Sequence, residues 1–207
     1  MISFTLLSLF IPTFFFVSIT PGMCMTLALS LGMSIGLRRS LHMMWGELLG
    51  VGLVASAAAL GVAALMLQFP QAFVVLKLGG GAYLGWLGIQ MWQSKGKLVM
   101  PEPGSEVPSQ SNLQLAFNGF ITAIANPKGW AFFVTLLPPF LNQNQPLAPQ
   151  LSALVAVILL LEFICLLIYA SGGKALRHLL MDRGNVKLLN RIAGSLMVGV
   201  GIWLAVG

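Results

Sequence analysis

Four long stretches of this chain contain no Asp, Glu, Lys or Arg: residues 2–37, 48–76, 107–127 and 129–161. Each exceeds the roughly 18 apolar residues with which a helix crosses a bilayer. Over the whole chain 57% of residues are hydrophobic and 8% charged, where a soluble domain is about a quarter charged. A soluble globular domain is excluded. Hydrocarbon offers backbone amides no partner, so such runs must satisfy themselves as helices. Residues 1–207 therefore read as a single transmembrane domain of an all-α integral membrane protein.

The formal charge of +6 would suggest nucleic acid as partner in a soluble protein. Here the basic residues stand beside the ends of apolar runs, so the lipid bilayer is the expected surrounding and no nucleic acid is expected. Cys24 and Cys165 lie within apolar runs and form no CxxC or Cys/His ligand spacing, and His42 and His178 have no i,i+4 partner. Neither a metal site nor a cofactor is expected. The uncharged start lacks a basic leader and is longer than the hydrophobic region of a cleaved signal peptide, so it reads as a span.

Six helices are expected: Phe4–Gly32, Leu41–Leu67, Ala72–Trp92, Leu113–Leu137, Gln150–Ala170 and Leu188–Val206. The first connection carries Arg38 and Arg39, the third Lys95 and Lys97, and the fifth Lys174, Arg177, Arg183 and Lys187, whereas the second and fourth carry no Lys or Arg. Short basic loops stay in the cytoplasm, which puts both termini on the periplasmic side. The longest linker, residues 94–112, is rich in Pro, Gly and Ser and divides the chain into repeat one, residues 1–93, and repeat two, residues 113–207. Three helices per half would invert one half relative to the other.

Each half also carries a helix breaker inside its first helix: Thr20-Pro21-Gly22 and Asn126-Pro127-Lys128. Proline removes a backbone donor and disfavours helix just before itself, so both segments are expected to unwind and free backbone groups at membrane depth. Such groups are tolerated only against protein or a wet cavity, so all six residues are candidates for substrate binding. A fainter echo is the recurrence of Lys77, Gly80 and Gly85 as Arg191, Gly194 and Gly199 at one constant offset.

Lys128 is a cation inside an apolar run, which costs at least about 2.5 kcal/mol at the centre of a span. Beside a half-helix N-terminus it could cradle a substrate carboxylate; the alternative is an ion pair with Glu162 or Glu47. Glu162, flanked by Leu159–Leu161 and Phe163-Ile164, is a candidate proton carrier or a structural partner of Lys128. Glu47 is a candidate for coupling, gating or an ammonium contact, or a carboxylate favoured near a helix start and reaching interfacial water. Gly32/Gly36, Gly46/Gly50 and Gly81/Gly85 have the spacing of close helix contacts, within the chain or in a homodimer. Of Tyr83, Trp86 and Trp92, one could line a pore, with Trp92 the expected interface anchor.

These motifs resemble the LysE/RhtB family of bacterial amino-acid exporters. The resemblance rests on Thr20-Pro21-Gly22 with the stretch from Gly32 to Arg39, on Asn126-Pro127-Lys128 followed by Phe132-Phe133 and Leu137-Pro138-Pro139-Phe140, and on Leu78–Gly85 and Arg191–Gly194. It implies a six-helix transporter of the inner membrane, not an enzyme, exporting small amino acids or their derivatives in exchange for protons. Met23 and Cys24 depart from the family pattern, which usually has a second proline there. The rival is an intramembrane thiol-electron conduit of the DsbD/CcdA type, which would use Cys24 but needs a cysteine at the second break, where Asn126 and Lys128 stand.

Overall fold

A computed structural model describes residues 4–96, 110–137, 140–141 and 145–206. Eight helices account for nearly all of them: α1 (Phe4–Ile19), α2 (Met23–Ile35), α3 (Leu37–Gln68), α4 (Pro70–Gln93), α5 (Asn112–Ile124), α6 (Pro127–Leu136), α7 (Leu147–Met181) and α8 (Arg183–Val206). No strand occurs among the described residues. Helices α3, α7 and α8 are each long and apolar enough to cross a membrane, and α1 with α2, bent by 59°, makes a fourth candidate span.

Both breaks fall at the proline motifs. At the first, Gly22 is extended (φ −141°, ψ −172°) and α2 starts after it. At the second, Asn126 (φ −77°, ψ 103°) caps α6, its side-chain oxygen accepting the Lys128 backbone N–H at 3.1 Å. Pro127 takes the first position of α6, where its missing N–H leaves no bond unmade. Pro12 sits inside α1 without ending it. A proline alone is therefore not the breaker here; the second residue that favours leaving the helix, Gly22 or Asn126, decides the outcome.

Several helix ends differ from the sequence reading. Helix α3 starts at Leu37, so Arg38 and Arg39 stand on its first turn rather than in a loop, and Gly36 (φ 79°) alone turns the chain between α2 and α3. Helix α7 continues to Met181 through a kink at Gly173 (φ 47°, ψ −135°), so Lys174 and Arg177 are helical. The first charge marks where an apolar run ends, but a helix carries on into polar surroundings until a residue such as glycine turns it. Lys97 and most of the 94–112 linker lie outside the described residues. The end of the linker forms a capping box, with Ser111 Oγ accepting from Gln114 N at 3.2 Å and Gln114 Oε1 from Ser111 N at 2.8 Å.

Two glycine seams hold the bundle. Gly88 meets Gly194 and Gly81 meets Gly201, so α4 and α8 run antiparallel at backbone contact. Gly46 lies on the backbone of Ala116 and Gly50 on Phe120 and Ala123, so α3 and α5 run parallel, with Gly119 on the backbone of Met43 and Glu47. The α3–α5 seam carries Glu47 to the second break. At the end where α4 finishes and α3, α5 and α8 begin, Arg39 donates to the Gln110 carbonyl at 2.7 Å and Gly96 packs on Arg183 and Lys187. Arg38, Arg39, Lys95, Arg183 and Lys187 thus share one end of the molecule.

Any side chain at Gly46 or Gly119 must push α3 off α5. Gly46→Val or Gly119→Val is expected to lose at least about 1–3 kcal/mol of stability. A Cβ at Gly61 meets open space, so Gly61→Ala is expected to be neutral or to stabilise by up to about 1 kcal/mol. Thermal unfolding in detergent separates the two; equal shifts would refute the seam.

Candidate functional site

The geometry of the site begins with a missing proton. In α1 the carbonyl of Val17 would accept the N–H four residues on, and that residue is Pro21, which has none. Lys128 supplies the replacement: its Nζ donates to Val17 O at 2.9 Å. The neighbouring carbonyls are met in the same way, Phe16 O by Thr20 Oγ1 at 2.6 Å and Ile19 O by the Tyr169 hydroxyl at 2.7 Å. At the second break the Ile124 carbonyl accepts from Trp130 Nε1 at 2.9 Å, and that of Ala123 from the Asn126 N–H at 3.3 Å. Each of these carbonyls is thus met by a group that lies beyond the end of its own helix.

Between the breaks lies a cavity of about 60 Å3. Of the candidate residues, Thr20, Gly22, Asn126, Lys128, Glu47 and Glu162 all line it. Pro21 lines a second cavity together with Thr20 and Lys128. Pro127 opens α6, but its side chain lies outside those described.

The charged groups are held differently. Glu162 is buried and accepts a hydrogen bond from the Ser18 hydroxyl. Glu47 is fully buried, and neither of its oxygens has a hydrogen-bond partner. The reading of Glu47 as a carboxylate near a helix start is corrected: α3 begins ten residues earlier, about 15 Å along the axis, and the α3–α5 seam closes over it. The alternative of an ion pair for Lys128 is also not what the structure contains, because its ammonium rests on Val17 O while Glu162 rests on Ser18. Two of the three ammonium hydrogens remain available to another acceptor.

Two features escaped the sequence reading, the aromatic wall of the cavity and Ser18. The apolar wall of the cavity is built from Phe14, Phe132 and Phe133 with Val51 and Val54; Phe132-Phe133 belong to the motif behind the family resemblance, but nothing in the sequence marks them, or Phe14 among 13 Phe, as lining a cavity. Ser18 could have been found as the hydroxyl two residues before Thr20, one helical turn from the break. Cys24 lines the cavity and accepts from Asn126 Nδ2 at 3.8 Å, whereas Cys165 is buried on α7, and both are free thiols. Tyr83 and Trp86 meet at 5.4 Å with their rings tilted, are exposed, and line neither of these two cavities. Trp92 ties α4 to α8, donating to Ser195 Oγ at 2.9 Å beneath the Arg191 guanidinium 4.9 Å away.

Paired helix breaks around buried charges, inside an apolar helical bundle, define a multi-pass membrane transporter. The family model for LysE type translocators matches residues 15–207, and the chain belongs to that family. It is 29% identical over 188 residues to an uncharacterized membrane protein of Vibrio cholerae, covering 91% of this chain and 90% of that one. It is 27% identical over 188 residues to a homoserine/homoserine lactone efflux protein of Salmonella typhimurium, with 91% and 90% covered. A leucine efflux protein of an Enterobacter species is 27% identical over 195 residues, with 92% and 90% covered. No solved structure matches.

Asn126 both caps α6 and reaches Cys24. Asn126→Ala is expected to cost about 1 kcal/mol through the lost cap, with Asn126→Asp retaining most of it. Thermal unfolding in detergent with both variants checks this, and equal losses would remove capping as the cause.

Proposed function

We propose that this protein exports small amino acids or their derivatives across the bacterial inner membrane in exchange for protons. The observation that carries the reading is one cavity with a cation, Lys128, and two carboxylates, Glu47 and Glu162, on its walls, with no hydrogen bond made by either oxygen of Glu47. A free amino acid brings the complementary pair of charges. Lys128 and the half-helix amides of α6 hold the substrate carboxylate, and a carboxylate with no hydrogen bond of its own, Glu47, receives the ammonium. The Phe14, Phe132 and Phe133 wall leaves room for a small side chain.

Glu162 carries the coupling proton, with Glu47 as second choice. Ser18 suits such an exchange, because a hydroxyl donates to a carboxylate and accepts from a carboxylic acid. Transport proceeds by alternating access, the two inverted halves 1–93 and 113–207 rocking around the breaks in a six-span arrangement. The antiparallel α4–α8 seam supports this, since it pairs the third helix of one half with the third helix of the other at glycine backbone contacts. The shared basic end faces the cytoplasm and both termini the periplasm. Outward direction is supported by the two relatives named as efflux proteins.

The test is uptake into inverted vesicles under an imposed pH gradient, with labelled leucine and homoserine. Uphill accumulation by the native chain, reduced at least about tenfold in Lys128→Ala, is the expected result. Glu162→Gln is expected to lose gradient-driven accumulation while keeping exchange of internal for external substrate. Absence of accumulation by the folded native protein across a broad amino-acid panel would refute the export reading, and unaltered gradient dependence in Glu162→Gln would remove that residue from coupling.

A further inference from the structure

A second cavity, of about 280 Å3, lies on the other side of Lys128. Its outer walls are the last turns of α4 and the early part of α8, and it shares Val17, Thr20, Lys128 and Phe132 with the central cavity. The two spaces therefore meet at the hydrogen bond from Lys128 Nζ to Val17 O.

Besides the shared Thr20 and Lys128, three polar side chains stand in its lining: Gln90, Ser94 and Asn190. Asn190 is buried and donates from Nδ2 to Ser94 Oγ at 2.9 Å, and the Gly96 N–H donates to the same oxygen at 3.3 Å. With its oxygen accepting twice, the Ser94 hydroxyl has its own hydrogen left to give. Asn190 keeps a second amide hydrogen, and Gln90, exposed on the cavity wall, has two. The set is rich in donors and holds no acid. Its surroundings are cationic: Lys95 follows Ser94, Arg191 follows Asn190, and Lys187 packs on Gly96. Positive charge at a low-dielectric mouth concentrates anions.

We infer that this second cavity is a loading site for the carboxylate end of a small substrate arriving from the basic face. Ser94, Gln90 and Asn190 hold the carboxylate first. Lys128 then exchanges its bond to Val17 for a bond to the substrate, and this opens the partition to the central cavity. The identity of the ligand as an amino acid rests on the export reading; the cavity and its donors do not.

The test uses the full chain with Gln90→Cys, a position whose exposed side chain tolerates replacement, and a membrane-impermeant maleimide, with the native chain as the control for Cys24 and Cys165. Labelling is expected in inverted vesicles and not in right-side-out ones. Leucine or homoserine should slow it severalfold, and isopentylamine, which lacks the carboxylate, should not. Labelling from the opposite face, from neither face, or with no protection by either amino acid would overturn the proposal. In a second experiment Gln90→Leu is expected to raise the KM for cytoplasmic amino acid roughly tenfold, as for loss of one hydrogen bond to a charged group, with little change in maximal rate. A native protein that accumulates substrate beside a Gln90→Leu variant of unchanged KM would sink the loading site and leave the export reading intact. Carboxylate-dependent protection without accumulation would do the reverse.

Discussion

The hydrogen bond from Lys128 to the Val17 carbonyl is the contact on which the centre of this protein depends. Pro21 creates the need for it by withholding an N–H, and α6 meets the need from the other half of the chain. The same contact gives the Lys128 ammonium an acceptor that is not a carboxylate, which leaves its other hydrogens available to a ligand. A salt bridge would have neutralised Lys128 and one acid together. By resting Lys128 on a carbonyl and Glu162 on a hydroxyl, the fold keeps opposite charges apart around a small cavity.

Such an arrangement needs stiff surroundings, because a cation and two acids would otherwise draw together or draw in water. Stiffness comes from backbone contact. Along the α3–α5 and α4–α8 seams glycines bring helices closer than any side chain would allow. Glu47 sits within one of these seams, which explains how a carboxylate is held without a hydrogen bond: its position is set by the helix that carries it. Aromatic packing of Phe14 with Phe132 and Phe133 completes the apolar side of the cavity.

Much of this was legible in the amino-acid sequence because the informative residues are rare. In a chain with 8% charged residues, Lys128, Glu162 and Glu47 stand out, and prolines followed or preceded by a helix-averse neighbour identify both breaks. Helix ends were less legible, as Arg38 and Lys174 show, because a charge ends an apolar run without ending a helix. The cavity wall was legible only in part: Phe132-Phe133 stood out within a motif, but their place beside Phe14 on the cavity is decided by packing. Gln90 and Asn190 were hidden for a different reason. Polar residues near the ends of apolar helices are ordinary at a membrane interface, and only the pairing of α4 with α8 turns them toward a common space.

The donor and acceptor of the central hydrogen bond are separated by 111 residues. A ribosome therefore delivers the unwound end of α1 long before it delivers the lysine that caps it. Until α6 emerges, the Val17 carbonyl has no partner from its own chain, and a bilayer supplies none. Assembly of the first helix is thus completed by the second half of the protein. A product truncated ahead of α6 would contain every residue of the first break and still lack the means to bury it.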